Sequence, residues 1–303
     1  METNIMNELR ESFKKGSVLT KLIYINLGVF ILVKLAYVFY FLATPASEHG
    51  MKALIFQSKY LAYLMVSSEP WMLMLRPWTL FSYMFLHFGF LHILFNILVL
   101  YWFGRIYLQY LTPKQLLTTY LLGGISGAAV FMLAYNLFPG LSEGQALGAS
   151  AAIMAVVMAI SFYNPSYTLY IPFIGPVKLI YIALVYVVLD VLQIASENAG
   201  GHLAHLGGAM YGYLFALQMK RGKDIGKSFS KFFDWIASLF KRKSKLRVSY
   251  KNQARHMNDF EYNKRKVDNQ KEIDRILDKI AQSGYESLSK KEKDILFKMG
   301  GQS

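Results

Sequence analysis

Two polar residues stand at the start of separate apolar segments, and their types are those of a nucleophile and a base. Ser150 follows Gly148 by two positions, and His205 lies in a glycine-rich stretch over residues 200–208. A serine hydroxyl becomes a useful nucleophile only when a base removes its proton, and neutral imidazole is the usual base. Strongly polar groups at membrane depth are costly and are mostly functional. The two residues therefore predict a catalytic serine–histidine pair.

A second pair of polar residues, His92 and Asn96, lies on another apolar segment. Their spacing of four places both side chains on one helix face. Both side chains can donate hydrogen bonds, as can the backbone N–H of Ser150 at the start of its helix, where the helix dipole also favours negative charge. Cleavage of a peptide bond needs such donors where the oxyanion forms. We expect His92 and Asn96 to stabilise that oxyanion.

The segments that carry these residues are long and apolar enough to be membrane helices. The chain has 303 residues, of which 54% are hydrophobic and 16% aromatic, with no cysteine. That composition is too apolar for an ordinary soluble domain, and it excludes disulfides and thiolate metal sites. A bilayer core needs about 20 apolar residues per helix. The sequence predicts an all-α membrane protein, a bundle of six transmembrane helices near residues 20–43, 83–103, 115–138, 147–163, 177–195 and 202–219.

The distribution of charge predicts the orientation of this bundle. Lysine and arginine precede the first segment and lie between the second and third, whereas the connections after the third and fifth carry only Glu143 and Glu197. The positive-inside rule then places both termini in the cytoplasm. With that orientation His92, Ser150 and His205 all lie roughly 5–15 Å below the outer surface. Three distant positions thus reach one depth, as a catalytic site requires.

Each of these residues also has a structural interpretation. A single serine in a membrane helix usually makes helix–helix hydrogen bonds, and His92 with Asn96 could do the same. Asp190 is a candidate third member of a triad with His205. We nevertheless favour for Asp190 the role of a polar anchor between helices.

A zinc site is the main rival to the serine–histidine interpretation, because four histidines fall near one face: His87, His92, His202 and His205. The sequence has no His-Glu-x-x-His pattern and no carboxylate in motif spacing, so we expect no metal and no cofactor. His87 is expected to make a structural hydrogen bond, and His202 is expected at the surface.

The chain beyond the last predicted span is basic. Residues 220–303 carry 22 Lys and Arg against 11 Asp and Glu. The segment 227–240 places aromatic residues at helical spacing, which predicts an amphipathic helix on an anionic lipid surface, or one packed under the membrane domain. A polar linker over 248–266 and a small helical hairpin should follow, because the residues before Gly284 have helical spacing and Ser289 with Glu292 forms a capping-box pattern. The predicted organisation is therefore a membrane domain over 1–222, a helix and basic linker over 223–266, and a hairpin over 267–303. No nucleic-acid-binding fold accompanies the charge.

Taken together, these motifs resemble those of the rhomboid family of intramembrane serine proteases, over roughly residues 15–220. His87 followed by His92 and Asn96 is similar to the family's second-span motif, Gly148 with Ser150 to its nucleophile motif, and the glycines around His205 to its sixth-span pattern. The resemblance implies a Ser150–His205 dyad without an acid, and His92 and Asn96 at the oxyanion site.

The resemblance also implies single-span membrane proteins as substrates, cut near the outer face after a small residue, and a bacterial inner-membrane location. One position departs from the family pattern: Ala151 stands where the family usually has glycine. The added methyl group could loosen the contact between spans four and six, or it could be absorbed without effect. The alternative function is therefore a catalytically inactive rhomboid-like protein that binds client transmembrane segments. A transporter is disfavoured, because the polar residues cluster at one depth.

Overall fold

The computed structural model describes residues 12–45, 50–196, 198–240 and 259–300, and these residues are predominantly helical. The helices are α1 Val18–Ala43, α2 Lys52–Lys59, α3 Pro70–Leu75, α4 Thr79–Ser82, α5 Phe90–Tyr110, α6 Pro113–Leu137, α7 Ser150–Tyr163, α8 Leu179–Leu192, α9 Ala199–Lys220, α10 Lys227–Phe240, α11 Asp259–Ser283 and α12 Lys290–Gly300. Two short antiparallel pairs accompany them, β1 Val66–Ser67 with β2 Gln145–Ala146, and β3 Thr168–Ile171 with β4 Gly175–Lys178. The chain divides into two compact units, residues 1–241 and 242–303.

Each of the six predicted apolar segments contains a helix of the first unit. Three of these helices, α1, α5 and α6, are long and apolar enough to cross a membrane. Helices α7 and α8 are apolar but have 14 residues each, and α9 has 22. The fold is an all-helical membrane fold, and the number of membrane crossings stays a prediction.

The second predicted span begins too early in the sequence. The prediction covers 83–103, whereas α5 runs from Phe90 to Tyr110. The residues before α5 form a 3₁₀ turn at Tyr83–Phe85, and the chain is extended at Leu86 and again at Gly89. Residues 83–90 are mostly apolar and continue into the apolar helix α5, so hydropathy alone does not reveal this non-helical start.

Helix α7 is the centre of the first unit. Every residue from Ala151 to Ser161 is buried, and α5, α6, α8 and α9 all pack against this helix, while α1 packs on α5 and α6. Two glycines of α9, Gly208 and Gly212, face the backbone carbonyl groups of Ala151 and Ala155 with no room for a Cβ. Small residues allow such close approach of two membrane helices, so α9 lies against the backbone of α7.

Hydrogen bonds fix the loops that precede α5 and α7. The buried Tyr83 side chain donates to the Gly124 carbonyl of α6 at 2.6 Å, and the Tyr120 hydroxyl donates to the Met84 carbonyl at 3.1 Å. The backbone N–H of Gly148 in turn donates to the Tyr83 carbonyl at 2.9 Å. The loop that leads into α7 is therefore held by the loop before α5, which is itself attached to α6.

Helix α10 contacts the remainder of the first unit through one part of its surface. The Phe233 ring lies 6.2 Å from the Phe81 ring, and Asp234 forms an ion pair with Lys114. Phe232 and Trp235 are exposed. Phe233 and Asp234 therefore pack against the rest of the first unit, as the second of the two predictions for this helix states. For the exposed aromatic residues, contact with a lipid surface stays a prediction.

The second unit is a pair of helices, with one correction to its start. Helix α11 begins at Asp259, eight residues before the expected position and inside the predicted linker. Gly284 ends the helical run with a φ of 76°, and the Ser289 backbone N–H donates to the Glu292 carboxylate at 2.7 Å in the predicted capping box.

Candidate active site

Ser150 and His205 meet inside the first unit. Ser150 is the first residue of α7, and His205 lies in the second turn of α9. The Ser150 Oγ and the His205 Nε2 are 2.7 Å apart, which is a hydrogen-bond distance. The close packing of α9 on α7 brings together two residues that are 55 positions apart in the chain. The pair has the geometry of a nucleophile and its base.

Asp190 completes a chain of hydrogen bonds behind His205. It lies in the last turn of α8 with 6% of its surface exposed, and its Oδ1 is 2.8 Å from the His205 Nδ1. The same Oδ1 is 2.7 Å from the Nδ1 of His202. Asp190 therefore joins α8 to α9, as an anchor between helices would, and it also contacts His205 directly. The expectation of a surface position for His202 was wrong, because that side chain is only 12% exposed.

Gly148 brings the loop before α7 close to His92. Its φ of +129° lies in the region that favours glycine. A Cβ at this position would lie 2.9 Å from Cε1 and 3.0 Å from Nε2 of His92, and 3.5 Å from the Ser150 Oγ. The His92 ring therefore lies directly beside the nucleophile loop, where an imidazole N–H could reach a developing oxyanion.

The other two predicted residues of this region, Asn96 and His87, both contact His92. Asn96 is 7% exposed and lines the cavity described below, and its Nδ2 donates to the His92 carbonyl oxygen at 2.9 Å. His87 is fully buried. Its ring lies 5.0 Å from the His92 ring, and its Nε2 accepts a long hydrogen bond of 3.5 Å from the Ala149 backbone N–H. His87 thus supports both His92 and the loop that carries Ser150.

Ser150 and His205 border a cavity of about 1120 Å³. Its polar lining includes several of the predicted residues, and α5, α7 and α8 supply apolar walls. A cavity of this size admits a segment of peptide together with water. The cavity lining includes His92, Asn96, Ser150, Asp190 and His205.

The Ala151 methyl group is accommodated without separating α7 from α9. A Cβ built at Gly127 of α6 would lie 2.6 Å from the Ala151 Cβ, so the methyl group points at a glycine of α6. Gly208 of α9 instead faces the Ala151 carbonyl group. The methyl group therefore lies against α6, and the contact between the α7 backbone and Gly208 of α9 is close.

One group of described residues could in principle converge on a metal ion. Ligand atoms of Asp190, His202 and His205 all lie within 4.8 Å of one another. Hydrogen bonds already account for the two histidine Nδ1 atoms, and the remaining nitrogen of His205 contacts Ser150. We assign no metal site here.

The fold and these site residues define an all-helical membrane protein with a serine–histidine pair beside a large open cavity. Comparison with known proteins agrees with that class: the family model for the rhomboid domain matches residues 75–221. This chain therefore contains a rhomboid domain. Residues 258–299 match a second model, a family of unknown function named DUF6576.

A curated relative supports the same family. The chain is 29% identical over 161 residues to the "RHOMBOID-like protein 12, mitochondrial" of Arabidopsis thaliana. The match covers 49% of this chain and 48% of that relative, so the chain spans about half the length of the curated relative it matches.

Proposed function

We propose that this chain is an intramembrane serine endopeptidase in which Ser150 is the nucleophile and His205 the general base. The observation that carries the proposal is the 2.7 Å contact between the Ser150 Oγ and the His205 Nε2, at the edge of a cavity large enough for a peptide. The match to the rhomboid domain supports the reaction type.

The reaction follows the usual course of acyl transfer. The Ser150 hydroxyl donates its proton to the His205 Nε2 as the oxygen attacks the substrate carbonyl carbon. His205 then delivers that proton to the leaving amine, which gives an acyl ester on Ser150. Water from the cavity, deprotonated by the same imidazole, hydrolyses the ester and regenerates the hydroxyl. Atoms and protons balance without a cofactor.

The oxyanion would form between the start of α7 and the loop-facing side of α5. The first backbone N–H groups of a helix have no partner within the helix, so the Ser150 N–H is available as a donor. The His92 ring beside Gly148 supplies a second donor. Asn96 would supply a third donor if its amide turned from the His92 carbonyl towards the cavity, a rotation of one side chain.

The proposed substrates are single-span membrane proteins cut near the outer face. A peptide bond inside a transmembrane helix is protected by the helix's own hydrogen bonds, so the substrate must unwind before Ser150 can attack it. The proposed location is a bacterial inner membrane with both termini in the cytoplasm, where the basic tail would face anionic headgroups.

The test is cleavage of a single-span reporter in liposomes containing EDTA. Wild type should cut the reporter and Ser150→Ala should not. Ser161→Ala is the matched control, because Ser161 is a fully buried serine of the same helix outside the cavity lining, and it should keep activity. A serine-directed fluorophosphonate should label wild type and not Ser150→Ala. A folded wild type that neither cuts nor accepts the label would support the inactive, client-binding alternative.

A further inference from the structure

A single carboxylate oxygen is shared by two histidines of α9. The Asp190 Oδ1 lies 2.7 Å from the His202 Nδ1 and 2.8 Å from the His205 Nδ1. His202 and His205 are three residues apart and therefore lie on one helix face. Asp190 belongs to the neighbouring helix α8 and is more than nine-tenths buried. The two rings thus converge on one acceptor.

The shared acceptor determines which nitrogen of His205 carries the proton. A carboxylate only accepts hydrogen bonds, so a neutral His205 beside it carries its proton on Nδ1. The Nε2 is then left with a lone pair, and this is the atom that contacts the Ser150 hydroxyl. In the other neutral tautomer Nε2 carries a proton and cannot take one from serine. The carboxylate therefore selects the tautomer that can act as a base.

His202 holds the carboxylate in that position. Both hydrogen bonds of Asp190 to histidine use Oδ1, whereas Oδ2 is buried and has no hydrogen-bond partner among the described residues. Both rings therefore act on the same oxygen, and His202 restrains the atom that accepts from His205.

We propose that Asp190 is a positioning residue for His205, held by His202, so that the site works as a serine–histidine–aspartate arrangement. The inference rests on the proposed function and departs from the dyad that the family resemblance implies. Asp190 acts through His205 and takes no proton itself, which is the role of the aspartate in soluble serine proteases.

The test compares Asp190→Asn and His202→Ala in the reporter assay and in the rate of fluorophosphonate labelling. Asparagine keeps the shape of the side chain but can donate a hydrogen bond to Nδ1, which stabilises the wrong tautomer. We expect Asp190→Asn to lower kcat by roughly 100-fold or more, with KM within about threefold of wild type, because asparagine keeps the size of the side chain in the cavity lining. His202→Ala should lower kcat by a smaller factor, because His205 keeps its own hydrogen bond to the carboxylate.

A stability control separates positioning from simple anchoring. Thr119→Val removes a buried 2.8 Å hydrogen bond with Tyr107 between α6 and α5, and neither residue lines the cavity. It should lower the melting temperature and leave kcat near wild type. If Asp190→Asn keeps the wild-type kcat and labelling rate, the inference is overturned and the proposed function stands. If wild type itself is neither labelled nor active, the proposed function fails first.

Discussion

Replacement of Gly208 by alanine should inactivate the protein by moving α9 away from α7. Gly208 faces the Ala151 carbonyl group so closely that no Cβ fits between them. The atom that obstructs the methyl group belongs to the backbone of α7, so no side-chain rotation can relieve the overlap. Gly28 of α1 is the matched control, because a Cβ at this position meets nothing within 4 Å.

The size of the effect follows from the contact distances. Restoring an ordinary carbon–oxygen contact requires a shift on the order of 1 Å between the helices. Overpacking of this kind costs about 1–3 kcal/mol of stability. The 2.7 Å hydrogen bond between Ser150 and His205 crosses the same interface, and a shift of about 1 Å takes it beyond hydrogen-bond range. Misplacement of reacting groups by about 1 Å can cost roughly 10²-fold in rate.

The assay measures kcat on the liposome reporter and the melting temperature of each purified variant. Gly208→Ala should lose about 100-fold in kcat while it still melts cooperatively. Gly28→Ala should keep kcat and gain up to about 1 kcal/mol of stability, since alanine is the better helix former. A Gly208→Ala protein with kcat within about threefold of wild type would refute the claim that this contact sets the position of His205.

Two further predictions concern parts of the molecule outside the site. Lys52 is buried, and its Nζ donates to two carbonyl groups at the C-terminal end of α1, at 2.9 and 2.8 Å. Lys52→Met should therefore lower the free energy of unfolding by about 3 kcal/mol in a chemical denaturation assay. Lys59 is exposed, so the control variant Lys59→Met should change that free energy little. Hydrogen bonds from Ser289 and an ion pair with a lysine of α11 lower the pKa of Glu292 to about 2 from its usual value near 4.5. A lowered folded-state pKa means that this contribution to stability is complete above about pH 4.5 and is lost as pH falls towards 2. Hydrogen exchange of residues 288–296, corrected for intrinsic rates, should show that loss in wild type, and a Glu292→Gln variant with the same pH dependence would contradict it.

Part of the candidate active site could be predicted because some of its residues lie at fixed intervals within single helices. His92 and Asn96 share a face of α5 through their spacing of four, and the spacing of Gly208 and Gly212 is by itself a signal of close helix packing. Both inferences use only the geometry of one helix. The register of α9 against α7, which brings His205 to Ser150, follows from those glycines together with the burial of α7 on all sides.

The partnership of Asp190 with His202 and His205 could not be obtained in that way. It depends on how α8 is rotated against α9, and the sequence of neither helix contains a periodic signal that fixes this rotation. The signal for it is chemical, and it made Asp190 a candidate partner of His205: an isolated carboxylate in an apolar helix needs a buried partner, and two histidines follow within 15 residues. The non-helical start before α5 was missed for a related reason, because apolar loops that are buried in protein have the hydropathy of a span.

The short lengths of α7 and α8 give a physical reason why the proposed hydrolytic site could lie within a membrane. Each has 14 residues and is therefore about 21 Å long, against a hydrocarbon core of about 30 Å. In the proposed topology the cytoplasmic ends of both helices lie at the inner surface, so their other ends stop roughly 10 Å below the outer surface. Ser150 is the first residue of α7, and Asp190 lies in the last turn of α8. In that topology helix length places Ser150 and Asp190 at one depth, and the cavity above them is where water would replace the missing turns of helix.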